Sequence, residues 1–288
     1  MKLGEIAEVR FGIKTGANDF FYLEPLGPGS RPGLLRVRNG AGWEGEIEEE
    51  FLKPVIKSPR ECRKIVINPD DLRYRIFMCQ KSKKELKGTR ALEYIEWGER
   101  QGYHKRSTLR SRYRWWDLGV RKYPVALWQK SVNVRHIQSV LPGEYFVDQR
   151  LYELAVNSTL LPERYAIVLN NTIFFLAKEI EGRVNLGEGA LDTAVYEARR
   201  TKILNPTLIN LDRVITFDWQ VQSVFKECGI DPESEVPIAE QEPNPLPDRK
   251  ALDDIVFDAL GLTEEERKEV YRAVCRLVWE RISKAKSV

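Results

Sequence analysis

The chain holds few of the side chains on which ordinary metal sites and nucleophilic catalysis depend. Its 288 residues include two histidines, His104 and His136, and four cysteines (Cys62, Cys79, Cys228, Cys275) that lie far apart without CxxC spacing. A structural zinc site needs Cys and His ligands in close groups, so none is expected. No apolar run approaches the ~18 residues that a membrane helix requires. The first ten residues carry Glu5, Glu8 and Arg10 and so lack the apolar segment of a secretory leader. These absences predict a cytoplasmic protein with no membrane partner. GxSxG, HExxH, P-loop and Rossmann fingerprints are missing as well, which removes most enzyme classes.

What is present is charge, and it is segregated. With 46 basic and 43 acidic residues the formal net charge is only +3. Yet the run from Arg100 to Arg135 sets ten cations, among them Lys105, Arg106, Arg110, Arg112, Arg114 and Lys130, against the single acid Asp117. Tyr103, Tyr113, Trp115, Trp116 and Tyr123 are threaded through the same run. Guanidinium groups that fork onto phosphate or a guanine edge, beside flat aromatic faces, suit nucleic acid. The competing reading makes the two tryptophans part of a core and the arginines a solvated face. From Asp231 to Glu269 the balance reverses, with thirteen acids against four bases, and five prolines between Pro232 and Pro247 mark a linker.

Residues 3–23 read as strand, loop and strand, with IAEVRF and DFFYL flanking a loop from Gly12 to Asn18 that projects Lys14, Thr15 and Asn18. Short strands are expected at 34–37, in KIVI, in VALWQ and in YFVDQRLYELAV. Spacing predicts a helix over 91–99 and a long apolar helix over 161–180 with Ala166, Leu169, Ile173, Leu176 and Ile180 on one stripe. The stretch after Gly182 combines Arg183 and Asn185 with Gly187 and Gly189, where backbone amides could meet a phosphate at a helix start. Asp192 stands where a dinucleotide fold needs its third glycine, so a cofactor loop is rejected. After Pro247 come a helix, a Gly261 stop, a Thr263 cap with Glu266 at the capping-box position, and a last helix. Its stripe of Val270, Val274, Leu277, Val278 and Ile282 packs on the body or on a partner helix. Pro69-Asp70 with Glu85-Leu86-Lys87 has the PD…ExK order of metal-dependent nucleases, in which Asp70, Glu85 and Lys87 would hold Mg²⁺ and activate water.

Four segments together resemble one family. AEVRFGIKTGANDFFYL, the RYRWWDL run, GRVNLGEGALDT and the tail from PLPDRKALDDIVFDALGL to ERISKAKSV are similar to the C-terminal target-recognition region of N6-adenine DNA methyltransferases of restriction–modification systems, the large fused type. The resemblance implies a domain that selects the DNA sequence in which a separate catalytic domain flips and methylates an adenine. The chain departs from those enzymes in lacking both a glycine-rich S-adenosylmethionine loop and an NPPY-type motif, since Asn68-Pro69, Asn205-Pro206 and Asn244-Pro245 are followed by Asp, Thr and Leu. No cofactor is therefore expected on this chain. S-adenosylmethionine is expected on a partner catalytic methyltransferase domain or subunit.

The combined expectation is an α+β fold: a β-rich target-recognition domain with packed helices over 1–230, an acidic proline-rich linker over 231–247 and a helical tail over 248–288. Its function would be sequence-selective binding of duplex DNA without catalysis of its own. Lys14, Thr15, Asn18, Arg183 and Asn185 are the expected base readers. Arg106, Arg110, Arg112 and Arg114, with Trp115, are the expected positioning contacts, and no residue is expected to be catalytic or to bind metal. A metal-dependent nuclease and an RNA-binding or scaffolding module are the alternatives.

Overall fold

Short strands with one apolar face dominate the first half of the chain, and helices the second. The computed structural model describes residues 1–156, 160–185, 189–211 and 217–286. Strand β1 (Ala7–Phe11) leads through a loop and one helical turn, α1 (Asn18–Phe21), into β2 (Tyr22–Pro28), β3 (Leu34–Asn39), β4 (Glu44–Glu48), β5 (Leu52–Ile56) and β6 (Tyr74–Phe77). Helix α2 (Arg90–Arg100) precedes β7 (Ala126–Trp128), β8 (Ser131–Val132), β9 (Phe146–Val147) and β10 (Tyr152–Val156). Then come α3 (Pro162–Asn170), α4 (Thr172–Glu181), β11 (Arg183–Asn185), β12 (Ala190–Asp192), α5 (Val195–Arg200), α6 (Val224–Cys228), α7 (Pro247–Leu260) and α8 (Glu264–Lys286). The fold is α+β, as the sequence predicts.

The strands form three sheets: a six-stranded one in the order β4-β3-β2-β6-β5-β9 and two three-stranded ones, β1-β10-β7 and β11-β12-β8. Among the described residues the pairings between these strands are antiparallel except that of β5 with β9. Helix α2 lies on the large sheet. Thr89 caps it by accepting from the Leu92 N–H, and Tyr94 stacks its ring 4.4 Å from that of Phe20. Gly98 lets the helix come this close, because a Cβ there would stand 2.6 Å from Trp115 and 2.7 Å from Phe20. A second core packs β1, β7 and β10 against α3, α4 and the last helices.

Three expectations of element type are corrected. DFFYL is not one strand, because its first residues close the α1 turn, in which the Phe20 and Phe21 N–H groups bond the Ala17 carbonyl at 3.0 Å. The helix expected over 161–180 is two helices broken at Asn171. There the side-chain oxygen accepts from the Phe174 N–H to start α4, while Nδ2 donates to the Ile167 and Val168 carbonyls that end α3. The break rotates the apolar face, so Phe174 and Phe175 are buried and Ile180 is exposed. KIVI makes isolated bridges only, Lys64 to Gln220 and Val66 to Val140.

The capping box at Thr263 forms, with Glu266 accepting from both the Thr263 N–H and hydroxyl at 2.8 Å. Val274 and Val278 of α8 join the second core, and Val270 and Ile282 pack against it. Two buried ion networks anchor these helices. Arg249 on α7 donates to Glu227 at 3.0 Å, and Asp253 accepts from the Thr172 N–H and hydroxyl at the start of α4. Arg281 on α8 donates to both oxygens of Glu179, at 3.0 and 2.8 Å, and to the Gly189 and Asn133 carbonyls. No helix among the described residues is long and apolar enough to cross a membrane.

Candidate nucleic-acid interface

Two of the crossovers between the large sheet and the β1-β10-β7 sheet lie side by side. Residues 12–17 carry the chain from β1 toward β2, and residues 148–151 carry it from β9 to β10. Ile13 forms a parallel bridge with Asp148, and its N–H donates to the Val147 carbonyl at 2.6 Å. Position 12 must be glycine, because a Cβ would fall 2.3 Å from the Val147 oxygen and 2.4 Å from that of Asp148.

The basic run closes over the first crossover and clamps it. The Arg112 guanidinium donates to the Lys14 and Thr15 carbonyls at 3.1 and 2.9 Å, and the Thr108 hydroxyl donates to the Gly16 carbonyl at 3.2 Å. Arg106 makes a two-pronged pair with Asp19 at 2.8 Å on each side and lies 4.2 Å from the Tyr103 ring. Burial pushes the Asp19 carboxyl upward, but the hydrogen bonds from Arg106 and Tyr103 outweigh it and hold the group below its ordinary value. Two segments about ninety positions apart, 14–19 and 103–116, thus form one patch.

Within this patch the expected residues divide. Lys14, Asn18, Arg106 and Arg110 are exposed, and Tyr113 between the arginines is 95% exposed. Arg114 is partly covered, donating to the Gln80 carbonyl and lying 3.7 Å from Asp117. Three residues are corrected. Thr15 is 1% exposed, with its hydroxyl turned inward to donate to Asn18 Oδ1 and to accept from the Ala17 N–H. Arg112 spends its fork on backbone carbonyls, and burial lowers its pKa. Trp115 is 6% exposed, lies 4.8 Å from the Phe20 ring and donates its indole N–H to Glu99 at 3.2 Å. All three hold the patch together from inside, so the core reading of the tryptophans is correct.

The other expected readers lie elsewhere. Arg183 and Asn185 sit on β11, which pairs with β12 as a hairpin, so the glycine stretch does not open a helix. Gly187 lies outside the described residues, and Gly189, at φ +61°, rests against Ile282 and Ala285 of α8. A cleft of about 430 Å³ runs from this hairpin to the second crossover and is lined by Lys130, Arg150, Tyr152, Arg183, Asp192 and Thr193. Lys130 holds its ammonium 4.5 Å from the Phe11 ring and 4.8 Å from the Tyr152 ring and donates to the Gln149 carbonyl at 2.6 Å; burial lowers its pKa. Arg150 escaped the sequence reading. The one signal for it was an acid two positions earlier, at Asp148.

A larger cavity of about 710 Å³ is lined by Lys64, Asn68, Asp71, Glu163 and Asp218, with more acids than cations, and does not suit a polyanion. The PD…ExK residues do not assemble a metal site. Glu85 accepts from the Ser82 N–H and hydroxyl at 2.7 and 2.6 Å, Asp70 is exposed on a short turn capped by Asn68, and Lys87 is exposed. No group of three acidic, His or Cys side chains among the described residues is placed to hold a metal ion. Asn68 and Asn205 use their side-chain oxygens to accept from the Asp70 and Thr207 N–H groups and so cap short turns.

Comparison with known proteins identifies a family over the greater part of the chain. A model of the C-terminal domain of the type II methyltransferase M.Eco57I matches residues 49–230. Among solved structures the chain is similar to the type IIG restriction endonuclease BpuSI, with a TM-score of 0.59 and 11% identity, over 99% of this chain and 32% of that one. The likeness at this identity is one of fold, and the chain spans about a third of that enzyme. No curated protein matches the chain.

Proposed function

The chain belongs to the family of the C-terminal domain of the type II methyltransferase M.Eco57I, a domain of restriction–modification methyltransferases, and from that membership we propose that it selects the DNA sequence on which a separate catalytic domain acts. In this reading it binds duplex DNA through the paired crossovers, with residues 1–230 as the recognition unit, 231–247 as linker and 248–288 as the helical tail. The catalytic partner carries S-adenosylmethionine and methylates N6 of an adenine.

The observation that supports it is the clamped patch. An exposed lysine and asparagine, Lys14 and Asn18, stand on a loop fixed by Gly12 against the neighbouring crossover and by Arg112 from the basic run. Fixed polar side chains read base edges, while exposed cations such as Arg110 neutralise phosphates and set orientation without reading sequence. Arg106, Arg114 and the hairpin's Arg183 and Asn185 complete the proposed contact set.

The test is direct competition of a duplex DNA against a single-stranded RNA of equal length, followed by fluorescence anisotropy of a labelled duplex bound to the purified chain. The duplex is expected to displace the label and the RNA to fail at the same concentration. If the RNA competes better, the chain is an RNA-binding module and the proposal falls.

A further inference from the structure

Arg150 stands at the cleft with no part in the contact set above. Its Nε donates to Asp148 Oδ1 at 2.9 Å, and the same oxygen accepts from the Arg150 N–H at 2.9 Å. Asp148 is buried, and its other oxygen accepts from the Tyr22 hydroxyl at 2.6 Å, so this carboxylate is fixed on three sides. Arg183, which lines the same cleft, repeats the arrangement. Its Nε lies 2.8 Å from Glu197 Oε1, and Glu197 is buried and accepts from the Ala194 N–H and the Tyr196 hydroxyl. In both cases a buried carboxylate grips the inner edge of a guanidinium whose side chain is more than half exposed.

Such a pairing does little for long-range attraction, because each guanidinium charge is cancelled by its own carboxylate and exposed charges are screened within about 10 Å in ordinary salt. It does fix direction. A planar fork held in one orientation has already lost its side-chain freedom before a partner arrives. A fixed fork matches the two acceptors, N7 and O6, that guanine alone presents side by side in the major groove.

We infer that Arg150 is a specificity-determining residue whose guanidinium takes N7 and O6 of a guanine in duplex DNA, an inference that rests on the duplex-binding reading above. Arg150 and Arg183 then read two positions of one site from either side of the cleft.

The experiment uses the duplex that the wild-type chain enriches from a randomised library, the same duplex carrying 7-deazaguanine at each guanine in turn, and the variants Arg150→Lys and Arg150→Ala. Lysine keeps the charge and loses the fork. At one guanine both variants are expected to bind about tenfold more weakly and to lose the preference for that base alone, with an unchanged salt slope. At that guanine 7-deazaguanine should weaken the wild type and leave both variants indifferent. The inference is overturned if Arg150→Lys keeps every preference, if it weakens all sequences alike with a shallower slope, or if the enriched site lacks a G·C pair. A wild-type chain that binds duplex and enriches nothing removes selectivity itself, and one that binds no duplex removes the whole functional reading; in both cases this inference falls with it.

Discussion

Replacing Arg112 by alanine separates a clamp from a phosphate contact. By composition Arg112 belongs with the cations that touch DNA, whereas in the structure it donates to the Lys14 and Thr15 carbonyls at 3.1 and 2.9 Å. Two hydrogen bonds from a charged donor, taken near 1.5 kcal/mol each because the group is partly solvated, give a loss of about 3 kcal/mol. For a chain of this size that lowers the unfolding midpoint by roughly 5 °C. Hydrogen exchange should quicken at the amides of Gly16 and Ala17, and any base preference contributed by Lys14 and Asn18 should flatten as their loop loosens. Thermal unfolding and exchange measured together provide the assay. If Arg112→Ala unfolds at the wild-type temperature and instead lowers the salt slope of duplex binding by about one, the clamp is wrong and the residue is a backbone contact.

Other variants test neighbouring parts of the account. Arg110→Ala should fold normally and weaken every duplex alike, with a salt slope shallower by about one; an unchanged slope would remove Arg110 from the interface. Lys178 is fully buried, donates to the Gln129 carbonyl at 3.0 Å, and has its pKa pushed by burial from 10.5 down to about 7, against an upward pull from Glu179. Below pH 7 both folded and unfolded chains hold its proton and the burial penalty is complete. Between pH 7 and 10.5 only the unfolded chain holds it, so this residue makes stability rise with pH. Lys178→Met should be more stable at pH 6 by ~1–4 kcal/mol, with a flatter profile from pH 7 to 9.5 in urea titrations; parallel profiles would contradict this. Arg281→Ala removes the guanidinium bonded to both oxygens of the buried Glu179 carboxylate, leaving it the His136 ring at 2.8 Å, and should cost about 3–5 kcal/mol in the same titrations, a loss below 1 kcal/mol being the contrary result.

The parts of this molecule legible in its sequence are those fixed by neighbours a few positions apart. The Thr89 cap and the spacing of Leu92, Ile95 and Trp97 locate α2 to within a residue of Arg90–Arg100, and Thr263 with Glu266 locates the start of the last helix. The break at Asn171 was hidden because an asparagine inside an apolar run reads as a tolerated polar residue until its side chain is seen to serve both helix ends. Likewise, composition marks Trp115 as aromatic and near cations, but only tertiary packing decides that it faces Phe20 rather than a base. Arg150 shows the same limit: Asp148 lies two residues away, yet the Tyr22 hydroxyl that fixes this carboxylate comes from a strand 126 positions distant.

The central claim is selective recognition of duplex DNA, and the most direct measurement is the ratio of dissociation constants for the duplex enriched from a randomised library and a shuffled duplex of the same composition, both at 150 mM salt. The account predicts a ratio on the order of 10³ in favour of the enriched sequence. Equal affinities for the two, with binding that vanishes as salt is raised, would contradict it and leave the chain a non-specific polyanion binder.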